Sequence, residues 1–427
     1  MKRIAIIGGG IGGCSAAYFA NKQIPNVKIT IYDAKDRIGG RILTNKTNGF
    51  NLELGAAFFN QANKTILGLA KNSKLKLNRI EENKNFAIWN GSEFIFRSNK
   101  KAAINDLKLL TRYKLSVVRT LFLIREAKEK IAKLYQGEHK NPTDITELFN
   151  SEGLNKWVRK TFDELLVEKG ISRTFIDEAI TPITRIIYSQ NTDLGGFAGI
   201  SSLIGTYGEP HYNLTEGNCA LPVYLAEASN AAIKLKQKVT SIEKTHEGFY
   251  RVSTETEATL FSGVIIAAPL EFADIELDGI IKPKNEPQEY QKVYTKAMKG
   301  TFNPKHFGVN DSTEPPAVIL TTKDAHQITH YRIQKTEKAQ SLITISSTEP
   351  LTETDFSGVF KTGPSPVLQH HWTAAYPKFK TITKLPPSRI DERLIYLNAI
   401  EAAVSSMETA SLSALIATKI LKAEIMK

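Results

Sequence analysis

The 427-residue chain contains only two cysteines, Cys14 and Cys219, too few for a disulfide scaffold or a thiolate zinc cluster. It has no run of about 18 apolar residues, which excludes an ordinary membrane-spanning helix. Secretory grammar is missing too. Lys2 and Arg3 lead straight into a short apolar strand and a glycine cluster, with no unbroken apolar region before small cleavage-site residues. The cytoplasm is therefore the expected compartment. Internal repeats and low-complexity tracts are absent, and none of His211, His370 and His371 shows metal-ligand spacing with another ligand type. Basic residues exceed acidic ones by 56 to 44, a net charge of +12, but they are scattered. The one short run is Lys71-Asn72-Ser73-Lys74-Leu75-Lys76. Such a surplus favours solubility and weak attraction to anionic surfaces without specifying nucleic acid, which is not an expected partner.

What the chain does have is a composition 41% apolar and more length than one hydrophobic core usually serves, so two joined domains are expected. Residues 3–7 read as a buried strand, 13–22 as a helix and Val27–Tyr32 as a second strand. Residues 42–59 read as loop and extended chain, Thr65–Ala70 as helix, and Phe86–Phe96 as short strands turning at Asn90-Gly91. Over 101–136, Leu107, Leu110, Lys114, Val117 and Leu121 fall at helical spacing, giving one long helix or two joined ones. Such a helix either packs on a second domain or makes a peripheral contact with a membrane surface. Helix is expected through 145–180, ending near Thr181-Pro182. Phe249–Ser253 and Thr259–Ala267 read as neighbouring strands, followed by strands at 292–302 and 328–347. The last part, 393–425, repeats the opening grammar of strand, small-residue turn and long helix.

The segment Ile4-Ala5-Ile6-Ile7-Gly8-Gly9-Gly10-Ile11-Gly12-Gly13 has the spacing of a dinucleotide-binding turn. Gly8 permits the tight turn, Gly10 lets pyrophosphate approach the backbone, and Gly13 lets helix pack on sheet. The helix amino terminus then faces the phosphates. Asp33 ends the second strand 20 residues after Gly13, placed for a ribose hydroxyl and repelling the 2′-phosphate of NADP. A small Cys14 within the motif serves packing. A second glycine pair, Gly39-Gly40, lies between Arg37 and Arg41, where Arg41 offers guanidinium donors to phosphate. An NAD dehydrogenase needs no such second element, so the expected cofactor is FAD.

Gly39-Gly40-Arg41 and Glu53-Leu54-Gly55-Ala56 resemble the second and third FAD-contacting stretches of the flavin-containing amine oxidase superfamily. Within it the chain resembles the prenylcysteine oxidase (prenylcysteine lyase) family. That likeness is carried by Ile180-Thr181-Pro182-Ile183-Thr184-Arg185 with Tyr188, Glu216-Gly217-Asn218 leading to Leu221, His371-Trp372-Thr373-Ala374-Ala375-Tyr376-Pro377, and Leu394–Ala403 continuing to Ser406-Met407-Glu408. The resemblance implies an α/β fold, with a discontinuous Rossmann-like FAD-binding domain of the glutathione-reductase/amine-oxidase type and an inserted α+β substrate domain. The expected division is 1–75, 215–285 and 385–427 for FAD, and 76–214 and 286–384 for substrate. It further implies that Gly8, Gly10, Ile11, Gly12, Gly13, Asp33, Ala34, Gly40, Arg41, Gly55, Ala56, Val239, Glu401 and Met407 hold FAD. Val239 would meet adenine through its backbone, and Glu401 the ribityl or ribose part.

The implied reaction removes hydride from the carbon next to sulfur in a prenylcysteine thioether. Water then adds, the adduct yields cysteine and a prenyl aldehyde, and dioxygen reoxidises the flavin to give hydrogen peroxide. Partners would be a small hydrophobic thioether or amine and dioxygen. Lys296 falls roughly where amine oxidases keep a lysine near the flavin and is the one candidate catalytic side chain. Of the histidines, His211, His370 and His371 are candidates to border substrate, the last two facing opposite ways on a strand. Glu408 is expected to cap the last helix through its carboxylate. An amine oxidase, a lipid or isoprenoid desaturase, and a non-catalytic flavoprotein scaffold remain alternatives. A long apolar tunnel would favour an isoprenoid, and aromatic residues flanking the flavin an amine.

Overall fold

A computed structural model describes residues 2–427 except 48, 81–84, 100, 137–143, 208–209, 282–286 and 337–339; the expected boundary at 285/286 lies outside the described residues. The opening grammar folds as read, into strand β1 (Lys2–Ile7), helix α1 (Ile11–Gln23) and strand β2 (Val27–Tyr32). These strands belong to a six-stranded sheet in the spatial order Ala232–Lys234, β2, β1, Gly263–Ile266, Leu394–Tyr396 and Arg389–Asp391. The first five run parallel and the last antiparallel. Both faces are covered, which is why β1 is almost continuously apolar. Ile4 and Ile6 pack with α1 and the final helix, Met407–Ile425, while Ala5 and Ile7 pack with a four-stranded sheet built from residues 239–278.

The expected strand Thr259–Ala267 is in fact two strands. Ala258–Phe261 pairs antiparallel with Tyr250–Thr254, and Gly263–Ile266 pairs parallel with β1. The chain changes sheets at Ser262, whose N–H donates to the Arg3 carbonyl at 2.7 Å. Gly263–Ile266 is buried throughout whereas Ala258 and Leu260 are exposed, and apolar periodicity along one run does not show which sheet each part of it joins.

A seven-stranded sheet forms the second layer, in the order Ser365–Pro377, Tyr290–Gly300, Ser341–Ser347, Ile328–Lys335, Val318–Thr321, Phe86–Trp89 and Phe94–Arg97. Alternation sorts its faces. Met298, Tyr331, Ile333, Ile343 and Ile345 point into a buried apolar cluster, whereas Thr295, His330, Arg332, Thr344 and Ser346 face a cavity shared with the dinucleotide-binding sheet.

Helices fill the remainder. The stretch Lys64–Asn72 forms α2, and the expected long helix is a pair, α3 (Ala102–Tyr113) and α4 (Leu115–Gln136), joined at Lys114 with φ of 50°. Together with helices between 145 and 206 they bury an apolar cluster that includes Ile400, Val404 and Leu412 near the start of the final helix. The helix expected to stop at Thr181-Pro182 instead continues to Tyr188. A π turn over Ile176–Ile180 widens the ladder just before the proline, which lacks an N–H to donate, so the chain stays helical.

Candidate functional site

The site begins at the turn after β1. Gly8 adopts φ of +112°, and a Cβ there would lie 2.8 Å from the Ala267 carbonyl oxygen. At Gly13 a Cβ would lie 1.9 Å from the Gly8 oxygen, so only glycine lets α1 close on its strand. Gly10, the N-cap of α1, has an ordinary φ of −76°, and no side chain caps the helix or places an acid in its first turn. The backbone N–H groups of that turn thus face the cavity lined by Gly10, Ile11 and Gly12, as an anion site requires. Cys14 is buried with its thiol donating to the Gly9 carbonyl at 3.3 Å, and burial, with Asp33 nearby, pushes its pKa up. It packs and stays protonated.

The second glycine pair is pinned to the first. Gly39 N–H donates to the Gly9 carbonyl at 2.8 Å, and a Cβ on Gly40 would sit 3.0 Å from Gly10 Cα. Arg37 holds this turn, donating to the carbonyls of Gly40 at 2.7 Å and Ile42 at 3.1 Å. Asp33 accepts from Gly9 N–H at 2.7 Å and Lys35 N–H at 2.8 Å; each oxygen keeps a further lone pair, and the residue borders the cavity with Ala34 and Val239.

Gly55 lacks the Cβ that would strike the Arg41 carbonyl at 1.9 Å. Its neighbour Ala56 is held by Asn218, whose side-chain amide donates to the Ala56 carbonyl at 2.9 Å while its backbone N–H donates to Glu53 at 2.9 Å. The Glu216-Gly217-Asn218 stretch is therefore a bracket for the strip along the cavity. Burial pushes the Glu53 carboxyl up, against the lowering effect of these bonds.

Arg41 and Glu401 form an ion pair across the cavity wall. Burial opposes the Arg41 charge, and Glu401 more than offsets it, so its pKa rises. Arg41 Nη1 and Glu401 Oε2 are both buried without a partner. A buried donor and acceptor left over beside an uncapped helix terminus fit a dinucleotide, whose phosphate and hydroxyl groups would complete them. The cavity encloses about 960 Å³, near the top of the roughly 300–1,000 Å³ usual for small-molecule sites and roomy enough for more than one ligand. Met407, the first residue of the final helix, borders it as well.

Other expected residues fall elsewhere. Lys296 does not face the cavity. It lies opposite Ile345 on the apolar face, with Nζ 4.5 Å from the Phe356 ring centre and 3.4 Å from the Leu351 carbonyl. Its neighbour Thr295 takes the cavity side, because alternation turns successive residues to opposite faces. Glu408 does not cap its own helix, which is capped by Ser406 with Thr409. Its carboxylate instead accepts from the N–H groups of Thr65 and Ile66 at 2.9 and 2.8 Å, capping α2. His211 donates its Nε2–H to the Gly205 carbonyl at 2.7 Å and packs on Phe58, so it stands behind the cavity lining rather than in it. His371 stacks on Tyr294, and His370 lies edge-on to Trp372.

Two cavity residues were not anticipated, His330 and Arg332. They stand at alternate positions of one strand, opposite Ser346 and Thr344 on the next. Burial, aided by Arg332 and Arg185, pushes the His330 pKa down to about 3. It is neutral at physiological pH and too weak a base for general-base work, leaving hydrogen bonding as its role. The signal was a polar stripe of period two; which strand faces it was not readable. Arg185, from the 180–185 stretch, anchors this strand from behind, donating to the carbonyls of His326 at 2.6 Å and Ile328 at 2.7 Å. Burial brings it down to about 10.

A third wall is apolar. Ile131, Tyr135, Phe149, Phe197, Ile204 and Leu412, from four helices, line the cavity on the side of the helical insertion.

A Rossmann-like dinucleotide-binding domain carrying a larger domain on a mixed sheet, with the cavity between them, is the fold of the flavin-dependent amine oxidases. Cyclohexylamine oxidase from Brevibacterium oxydans superposes with a TM-score of 0.66 at 14% identity over 100% of both chains. Wild-type putrescine oxidase gives 0.64 at 13% identity over 97% of each. Within that fold the chain belongs to the prenylcysteine lyase family, whose sequence profile matches residues 96–426, while a NAD(P)-binding Rossmann-like domain profile matches residues 6–72. It is 27% identical over 441 residues to farnesylcysteine lyase of Arabidopsis thaliana, covering 96% of this chain and 86% of that protein. Human prenylcysteine oxidase 1 is 27% identical over 445 residues, covering 96% and 87%.

Proposed function

We propose that this protein is an FAD-dependent oxidase acting on a prenylcysteine thioether. The observation that carries the reading is the composition of one cavity: glycine turns and an uncapped helix terminus on one wall, a polar strand face on another and an apolar helical chamber on the third. When bound, FAD supplies a two-electron acceptor for the hydride on the carbon next to sulfur, with dioxygen taking the electrons on to hydrogen peroxide. Sulfur stabilises the positive charge left on that carbon. Addition of water there, with loss of its proton, gives a hemithioacetal that splits into cysteine and a prenyl aldehyde.

The chain's own part is binding and orientation. Gly10, Ile11 and Gly12 present helix N–H groups to pyrophosphate, Arg41 adds a guanidinium, and Asp33 meets the adenosine ribose with Val239 beside the adenine. Gly55, Ala56, Glu401 and Met407 form the flavin end. Arg332, with Thr344 and Ser346, suits the charged cysteine end of the substrate. Phe149, Phe197 and Ile204 suit the isoprenoid, whose burial at about 0.8 kcal/mol per methylene supplies most of the affinity. The same apolar wall favours this substrate over a small polar amine.

The test is anaerobic addition of S-farnesylcysteine, and separately of a panel of amines, to the flavin-loaded protein. Bleaching of the flavin band with farnesylcysteine, with farnesal and cysteine as products, is expected. Bleaching with amines alone would overturn the assignment of substrate, and failure to bind FAD would overturn the whole reading.

A further inference from the structure

The two joined helices α3 and α4 carry a surface that the cavity chemistry does not use. Leu107, Leu110, Leu115, Val118, Leu121 and Phe122 are six of the fourteen exposed large apolar side chains among the described residues. Phe122 and Leu115 leave 66% and 63% of their surface in solvent. Concentration of exposed apolar area on one short segment marks a contact surface, since scattered exposure is the norm.

The charge of the segment says what kind of surface meets it. Between residues 107 and 125 there are five basic residues and no acidic one. Arg112 and Arg125 pair with Glu178 and Glu129. Lys108 donates to the Arg97 carbonyl and Arg119 to the Gly170 carbonyl, and neither they nor Lys114 has a carboxylate partner among the described residues. Protruding leucine and phenylalanine among uncompensated cations complement an anionic lipid surface, where the rings enter the headgroup boundary and the cations stay at its level.

α4 continues past this patch into the cavity wall. Lys128, Ile131 and Tyr135 line the cavity, and Lys128 lies six residues beyond Phe122, about 9 Å along the helix axis. We propose that the α3–α4 helix pair docks the protein on an anionic bilayer surface as a peripheral, non-spanning contact. No described helix is long and apolar enough to cross a membrane. This proposal stands on the surface alone and does not depend on the reaction proposed above.

The experiment is sedimentation of the purified full chain with vesicles of phosphatidylcholine alone or mixed with phosphatidylserine. Wild type should pellet with the anionic vesicles and be released by salt. Leu115→Ser/Phe122→Ser should weaken partitioning by at least about tenfold, and Lys108→Ala/Lys114→Ala by about 30-fold, each cation contributing roughly fivefold. All four side chains lie outside the cavity lining, so flavin content and melting temperature should match wild type. Wild type left in the supernatant with anionic vesicles would overturn the proposal, as would equal binding by both variants. A wild-type dimer in sedimentation velocity that Leu115→Ser/Phe122→Ser converts to monomer would also overturn it, since a second copy would then own the patch.

Discussion

Two glycines three residues apart should respond in opposite ways to the same substitution. A Cβ on Gly10 would meet one atom, Gly40 Cα at 3.8 Å, and the backbone already has an ordinary φ. Gly10→Val therefore fits the protein but projects into the space assigned to pyrophosphate. Displacing the anion forfeits two or so charge-assisted hydrogen bonds at about 1.5–3 kcal/mol each, or about 3–6 kcal/mol in all. That weakens FAD binding by about 10²–10⁴-fold. A Cβ on Gly13 would instead sit 1.9 Å from a backbone oxygen, where contacts under 3.0 Å are essentially never seen. No rotamer relieves a backbone clash, so α1 must lift off β1 by about 1 Å, costing at least the upper end of the 1–3 kcal/mol usual for overpacking.

Gel filtration, FAD titration of the apoprotein and thermal melting of the apoproteins separate the two cases. Comparing apoproteins matters, because bound FAD would itself raise the melting temperature. Gly10→Val should melt with wild-type apoprotein and fail to retain flavin; Gly13→Val should melt lower or not fold. Unchanged FAD affinity in Gly10→Val would show that the pyrophosphate lies elsewhere, and an unchanged melt in Gly13→Val would show that the helix contact is looser than described.

Arg41→Ala leaves Glu401, whose side chain is 8% exposed, buried without its cation. Urea unfolding of the apoprotein should show a loss of about 3 kcal/mol, the low end for breaking a buried pair because Arg41 itself is partly exposed; no loss would refute the pairing. Lys296→Ala should leave the rate of flavin reduction by substrate unchanged, since the amine lies on the Phe356 side of the sheet, and a tenfold fall in stopped-flow would place it back at the flavin. His330 has a folded pKa near 3 against an ordinary 6.5, so below about pH 6.5 the unfolded chain takes a proton that the folded one refuses. Stability is full above that pH and falls as pH drops towards 3. His330→Gln should reduce this slope in denaturation curves taken across the window, and an unaltered slope would mean that the imidazole is solvated.

Much of the glycine-lined end of the cavity was legible because its signals are local. Gly8, Gly10, Gly13 and Asp33 sit within one strand–helix–strand unit, where spacing along the chain is nearly spacing in space. The break between α3 and α4 was left open by a pattern that fitted one helix or two, and the left-handed Lys114 settles it. Pro182 misled because a proline rule describes the α ladder, and a π turn alters that ladder. Lys296 was placed one face wrong, since a strand shows alternation but not which side is inward until its neighbours are known.

The sequence by itself determined the chemistry of short range: a dinucleotide turn, the second glycine pair, the apolar strands and the length of the final helix. Each depends on residues within a few positions of one another. Tertiary structure alone decided that Arg41 meets Glu401, 360 positions away, that Glu408 caps a distant helix, and that His330 and Arg332 share the cavity with Gly10. Those meetings follow from strand order and register across sheets assembled from both ends and the middle of the chain. The glycine spacing does not encode that register; it arises from burying both faces of one sheet while leaving a polar face of the other turned to the cavity.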